Sequence, residues 1–305
     1  MIKYLMTAAA LKVFSTSPQT KHMYRRLGNI VDQRRRIQQG LSPYYVDRTK
    51  KILELCKRHH AIQEGDRLLE VGTGWLHWES MIIRLFYDVE ITMFDVWDNR
   101  YFGAYKQYLG QLEKIIDKEL DIDLMQRERV HGLLRAILKA NSFEDIYNLL
   151  GVRYVIDPSG TLKQFEDQSF AVIFSWDVLE HISKPILSAF IQDCHRVLKP
   201  GGYSLHKIDP SDHLAYYDTS VFIKNYLRYS DGVWRRWFEN DVQYINRVHR
   251  SEWLDLFDNA GFELIEEESV STDIDAIKVD KSYEHLSKQD LQCITLTVVH
   301  RKPSS

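Results

Sequence analysis

The 305-residue chain is poor in cysteine, with only Cys56, Cys194 and Cys293. An odd number without paired close spacing excludes a disulfide framework and a cysteine-rich metal site. A reducing, cytoplasmic setting fits that usage. Long apolar runs are also missing. No segment approaches the roughly 18 uninterrupted apolar residues of a membrane-spanning helix, so no transmembrane segment is expected. Neither charge sign dominates, and a formal net charge of −3 gives no basis for whole-surface nucleic-acid binding. No internal repeat or low-complexity tract is present.

What remains is ordinary for a globular protein with a sizeable core: 44% hydrophobic and 27% charged residues. The length allows one large domain or two modest ones. Met1 to Phe14 combines an early lysine with apolar residues, so a signal peptide has to be weighed. Lys12 interrupts the run and no small-residue cleavage site follows cleanly, which favours an amphipathic first helix.

The most informative stretch is Arg67-Leu-Leu-Glu-Val-Gly-Thr-Gly-Trp75. A short apolar run ends in Gly72 and Gly74, and helical spacing resumes at Leu76, Met81, Ile82 and Leu85. Strand, glycine turn and helix together hold a nucleotide-like ligand at the carboxyl edge of a parallel sheet. Glycine is needed where the backbone must approach that ligand closely. The next apolar run, Val89 to Phe94, ends in Asp95, twenty-one positions after Gly74. An acid at that distance on the second strand accepts hydrogen bonds from a ribose.

Glu70-Val-Gly-Thr-Gly74 resembles the E-x-G-x-G signature of class I S-adenosylmethionine-dependent methyltransferases. Phe170 to Ile182 resembles that family's fourth strand and following turn, and Arg196-Val-Leu-Lys-Pro-Gly-Gly202 the approach to the fifth. Leu76 stands where many members carry a third glycine, so Trp75 is a candidate to line the site. The resemblance spans roughly Tyr45 to Pro303. It implies a Rossmann-like, doubly wound, mostly parallel seven-stranded sheet. It also implies S-adenosylmethionine as cofactor, released as S-adenosylhomocysteine. By the same resemblance Gly72, Thr73 and Gly74 approach the methionine portion and ribose, and Asp95 meets the ribose hydroxyls. Asp157 matches an acid near the adenine amino group, Ser175 and Trp176 match the methionine end, and Glu70 orients the glycine loop through backbone hydrogen bonds.

Around this domain, taken as residues 61–305, the chain adds two features. Residues 1–60 read as a helical extension, with Ser42-Pro43 as a break before a helix from Tyr45 to Arg58. Its basic cluster Arg34-Arg35-Arg36 suits an anionic acceptor or membrane face, or is a solvated helix face. About 50 residues, 100–150, then fill a crossover for which a dozen suffice. Leu109, Leu112, Ile115, Ile116 and Leu120, then Val130, Leu133, Leu134 and Ile137, fall at helical spacing, indicating a helical insert. Either addition could cover the substrate side or form a homo-oligomer contact. Farther on, Lys199 to Gly202 reads as a turn before a fifth strand from Tyr203 to Ile208.

Catalytic candidates follow that strand. His206, Asp209, Asp212 and His213 put two imidazoles and two carboxylates within eight positions. A histidine oriented by an aspartate is a general base near neutral pH; the same set could ligate a divalent metal, although the spacing matches no recognised zinc pattern. His181 is a second candidate base, or a residue that caps the turn. Tyr216 and Tyr217 could stack on a ring, and Asn246 and Arg247 could grip a polar acceptor. The expected reaction is methyl transfer to a hydroxyl of a small polar or sugar-like acceptor, a glycan precursor or secondary metabolite. The alternatives are a nucleic-acid or protein methyltransferase, a nicotinamide dehydrogenase, or a cofactor-binding interaction module without catalysis. The Asn/Asp-Pro-Pro-aromatic motif of base-amine methylation is absent after the fourth strand, where Ser175-Trp-Asp-Val178 stands.

Overall fold

Seven strands form one sheet in the order β3-β2-β1-β4-β5-β7-β6. They are β1 Arg67–Val71, β2 Glu90–Asp95, β3 Val152–Ile156, β4 Phe170–Trp176, β5 Leu198–Ile208, β6 Glu263–Ser271 and β7 Cys293–Arg301. The computed structural model describes residues 1–24, 37–120 and 122–304. β1 pairs in parallel with β2 and with β4, β2 pairs in parallel with β3, and β6 pairs antiparallel with β7. The sheet is thus mostly parallel and flanked by helices, as expected. Strand order reverses beside β1, the switch point outside which ligands of such sheets bind.

The parallel strands are buried on both faces, so they read as continuous apolar runs rather than alternating ones. Leu68, Leu69 and Val71 of β1 and Ile91, Met93 and Phe94 of β2 are at most 3% exposed. Each such side chain contributes about 1.5–3 kcal/mol of burial free energy. β6 is different: it is largely exposed and carries Glu263, Glu266, Glu267 and Glu268. Charge along an outer strand blocks further pairing.

The helices among the described residues include α1 Ile2–Phe14, α2 Pro43–Arg58, α3 Trp78–Phe86, α4 Phe102–Glu119, α5 Leu124–Lys139, α6 Phe143–Leu150, α7 Lys184–Val197, α8 Asp231–Trp237, α9 Arg250–Asn259 and α10 Lys288–Gln292. Ser42-Pro43 starts α2 rather than breaking the chain before it. Ser42 accepts a hydrogen bond from the Tyr44 amide, and Pro43 takes the first helical position, where no amide donor is needed. The basic cluster at 34–36 lies outside the described residues. The expected helical insert holds three helices. The third, α6, is only eight residues long and was hidden to periodicity, but Ser142 and Asp145 cap it reciprocally and Gly151 ends it at φ +65°.

β5 starts at Leu198, and the expected turn at Lys199–Gly202 lies inside its span, with Gly201 at φ +77°, the positive value that a Pro-Gly turn requires. A Cβ on Gly202 would lie 2.7 Å from the Ala171 carbonyl oxygen, so the second glycine is there for close backbone approach.

The chain clusters into two compact units, each made of discontinuous segments. One gathers the N-terminal helix, Trp176–His195 and Leu205–Pro303; the other holds the described residues from 37 to Ser175 together with Arg196–Ser204. α1 buries Tyr4, Ala8 and Leu11 in a cluster with Leu214, Tyr226, Trp234 and Phe238. No described helix is long and apolar enough to cross a membrane.

Candidate functional site

In the unit containing β1 to β3, the glycine turn is held by its own strand ends. Gly72 and Gly74 adopt φ +71° and +64°, conformations that other residues rarely take. The Gly72 amide donates to the Phe94 carbonyl at 2.8 Å, and the Gly74 amide to Asp95 Oδ2 at 3.1 Å. No heavy atom lies within 4 Å of where a Cβ on Gly74 would stand. The turn is open on that side, as a backbone cradle for a ligand requires.

Asp95 is 7% exposed. Burial raises its pKa, against the opposing hydrogen bonds from the Val96 and Gly74 amides. Asp157 follows at the tip of β3; its amide donates to the Asp95 carbonyl at 3.0 Å and its Oδ1 accepts from Ser159 at 2.9 Å. The two acids expected at ribose and adenine are thus linked through one backbone bond.

Glu70 does steady the turn, though through side chains rather than the backbone. The hydroxyls of Thr73, at 3.0 Å, and of Ser80 both donate to its Oε2. Burial and the neighbouring Glu79 carboxylate push its pKa up. With the Thr73 proton on Glu70, the Thr73 oxygen is left to accept from His77 Nδ1 at 3.0 Å, while His77 Nε2 accepts from the Tyr147 hydroxyl at 3.3 Å. Burial and Arg100 hold His77 down at about 3, so it is neutral. His77 was missed in the sequence. Its φ of +50° was not legible there, although its place three residues after Gly74 was. Trp75 packs edge-on against Tyr45 and Tyr108, with centroids 6.5 and 5.5 Å away. Ser175, at the end of β4, is fully buried.

The second unit carries the catalytic candidates. Trp176, its first residue after that strand's Ser175, is 5% exposed. Asp177 then takes φ +55°, its amide bonded to the Lys207 carbonyl at 2.9 Å and its carboxylate ion-paired with Lys207 Nζ. A left-handed non-glycine residue costs of order 1–3 kcal/mol and persists only where its surroundings fix it. Here the pair with Lys207 fixes it.

The turn Leu179–His181 presents Glu180 and His181 side by side. His181 Nδ1 lies 2.7 Å from the Tyr244 carbonyl, which cannot donate, so Nδ1 carries the proton and Nε2 keeps its lone pair. Surrounding protein and the His213 ring push its pKa down to about 4. The His213 ring is 4.9 Å away, with its Nε2 3.5 Å from Asp209 Oδ2. Burial raises the Asp209 carboxyl, but the His213 ring beside it and hydrogen bonds from Tyr216 and Ser211 outweigh it and hold Asp209 well below the usual range.

His206 does not join them. It is fully buried, with its ring 5.4 Å from Phe257, and burial with the nearby His300 pushes its pKa down to about 3. On β5, successive side chains take opposite faces: Lys207 reaches Asp177, so His206 faces the core. The base role expected of it is corrected on that ground. Asp212 is also internal, accepting from the Tyr4 hydroxyl at 2.7 Å and the Leu214 amide at 3.0 Å.

Of the expected acceptor contacts, Tyr216 is exposed and donates its hydroxyl to Asp209 Oδ2, while Tyr217 is 37% exposed. Asn246 and Arg247 are only 3% and 9% exposed and are committed internally, which corrects their expected grip on an acceptor. Asn246 Nδ2 donates to the Leu179 and Ile182 carbonyls at 2.8 and 3.1 Å, so it braces the turn that carries His181. Arg247 bonds the Tyr283 hydroxyl at 2.6 Å and pairs with Asp231 at 3.0 Å.

The sequence profile of a family described as a methyltransferase domain matches residues 41–267. No curated protein matches the chain. Among solved structures, a protein assigned as a methyltransferase from Bacillus halodurans is 18% identical, over 84% of this chain and 98% of that one, with a TM-score of 0.47. Phosphoethanolamine N-methyltransferase 2 of Haemonchus contortus, with phosphomonomethylethanolamine and S-adenosylhomocysteine, is 17% identical over 84% of this chain and 52% of that one, with a TM-score of 0.47. A protein assigned as a sarcosine dimethylglycine methyltransferase from Galdieria sulphuraria is 12% identical, over 85% and 86%, at 0.49.

Proposed function

The chain belongs to the class I S-adenosylmethionine-dependent methyltransferases, and from that premise we propose that it methylates a hydroxyl of a small polar or sugar-like acceptor. When bound, S-adenosylmethionine supplies an electrophilic methyl group on a sulfonium. Gly72 to Gly74 hold its methionine portion and ribose by backbone approach, and Asp95 accepts from the ribose hydroxyls. Asp157 stands toward the adenine, with Ser175 and Trp176 at the methionine end. The open, left-handed glycine turn with Asp95 bonded to its Gly74 amide supports this assignment.

An alcohol needs help to lose its proton as it attacks. The single observation that favours a hydroxyl acceptor is the pair of adjacent imidazoles, His181 and His213, with Asp209 beside His213. Asp209 stays ionised, orients His213 and offsets the charge that His213 gains on taking the proton. His181 is kept neutral by its surroundings and offers Nε2 as a second acceptor. Tyr216 and Tyr217 form the exposed aromatic surface against which a sugar-like acceptor stacks. A cytoplasmic location belongs to this reading, consistent with three buried, unpaired cysteines.

The test is transfer of isotopically labelled methyl from S-adenosylmethionine to matched panels of hydroxylated and amine acceptors. Label on oxygen is expected. Asp209→Asn and His213→Ala should lower kcat by about 10²–10⁴-fold, the usual contribution of a positioned base, with cofactor affinity unchanged. Label on nitrogen alone, or full turnover by both variants, would overturn the proposal.

A further inference from the structure

Glu180 is 1% exposed, and neither of its carboxylate oxygens has a hydrogen-bond partner. A buried carboxylate left without partners is costly, and each such group in a folded protein calls for an explanation. Its surroundings make the arrangement more demanding. Asp177 and Asp209 both act on it electrostatically, with Lys207 as the opposing cation. Burial, with those two acids, pushes its pKa well up, so the site favours a cation beside Glu180 or a proton on it.

Glu180, His181 and His213 each offer one donor atom, and those atoms lie within 4.8 Å of one another. His181 is already set up as a ligand, since its Nδ1–H is bound to the Tyr244 carbonyl and its Nε2 lone pair is free to bind. Such an outer hydrogen bond fixes tautomer and ring orientation in metal-binding histidines. His213 has Asp209 at 3.5 Å in a comparable supporting place.

We propose that Glu180, His181 and His213 bind a divalent transition-metal cation. Two imidazoles with one carboxylate favour zinc, manganese, cobalt or iron over magnesium and calcium, which prefer all-oxygen shells. Three protein ligands leave a position open, the pattern of a catalytic rather than a structural site. Bonds of about 2.0–2.2 Å require the donors to draw together from their present spacing, a side-chain movement on one exposed and one half-buried histidine. Ion binding is independent of the proposed acceptor. Only its consequence rests on that reading: an ion there lowers the pKa of an oxygen in its open position and replaces the two imidazoles as the means of removing the proton.

Chelator-treated, full-length protein is titrated with cobalt(II) alone, followed by visible absorption and by calorimetry. One equivalent with a ligand-field spectrum of low-symmetry cobalt is expected. Glu180→Gln and His213→Ala should each weaken binding at least about tenfold, on the scale seen for loss of even supporting contacts, while Asp95→Ala leaves it unchanged. Melting temperature shows that each variant is folded, and retained S-adenosylmethionine affinity shows it again for Glu180→Gln and His213→Ala. Absence of cobalt binding by the parent protein, or equal binding by folded Glu180→Gln and His213→Ala, would overturn the site. Cobalt binding without methylation of any hydroxyl would support the site and remove the acceptor reading. Full hydroxyl methylation by protein that binds no metal would overturn the site and leave the imidazole base.

Discussion

Asp95 holds the fold at the same point where the proposed reading places the ribose. It accepts the Gly74 amide at 3.1 Å and the Val96 amide at 2.7 Å, which fixes both the glycine turn and the end of β2. Asp95→Ala should therefore weaken S-adenosylmethionine binding about tenfold or more, at least ~1.4 kcal/mol, and Asp95→Asn less, because the amide oxygen can still accept. Calorimetric titration checks both, and unchanged affinity in a folded Ala variant would remove Asp95 from the cofactor site. Glu70 makes a prediction in pH. Burial and Glu79 raise its pKa in the folded protein above the ordinary carboxylate value. The folded state then binds more protons than the unfolded one in that window, so this group's contribution to stability falls as pH rises through it. Gln at this position does not titrate and keeps an acceptor for Thr73 or Ser80. The melting temperature of Glu70→Gln relative to the parent should thus climb from pH 5 to pH 9; a flat difference would contradict the shift.

Among the elements, the three-residue turn after β4 does the most with the fewest residues. It is too short to hold itself, and Asn246 holds it by donating to Leu179 and Ile182, with its own amide donating to the Glu180 carbonyl at 2.8 Å. Asn246→Ala leaves two buried carbonyls without those donors and should cost about 1–3 kcal/mol, with a fall in kcat as Glu180 and His181 lose their placement. Thermal unfolding and steady-state kinetics read the two effects. A raised acceptor KM with unchanged melting temperature would instead return Asn246 to direct acceptor binding. β5 teaches a related point. Lys199-Pro-Gly-Gly202 keeps its turn chemistry inside the strand's span: Gly201 takes φ +77°, and Gly202 lets the backbone pass close to Ala171.

For the whole molecule, contacts far apart in sequence decide which segments fold together. Tyr4 is fully buried, and its hydroxyl donates to Asp212, 208 positions away. Its amide also donates to Asp218 at 3.0 Å. Burial raises Asp212 to about 6, and the Tyr4 bond opposes that rise. Tyr4→Phe should destabilise the protein by about 1–3 kcal/mol at neutral pH, because the buried carboxylate loses its donor. The deficit should shrink toward acid pH, where Asp212 is protonated and needs the donor less. Urea unfolding at pH 5 and pH 8 measures this, and equal loss at both values would contradict it.

The β1–glycine turn–β2 unit was legible because its information is local. Gly72, Gly74 and Asp95 are close in the chain, and their backbone conformations and spacing specify the turn and the acid with little outside help. That was sufficient for the family, the sheet and the cofactor. The grouping of the catalytic candidates was not legible, because it depends on facing and on distant packing. In a strand, one residue of offset exchanges core for surface, and that offset puts His206 against Phe257 while Lys207 meets Asp177. Glu180 and His181 meet His213 and Tyr244 only through long-range folding. The sequence alone determined which cofactor architecture this chain builds; only tertiary packing decided which of its histidines and acids stand together, since no local preference reaches across 30 to 60 residues.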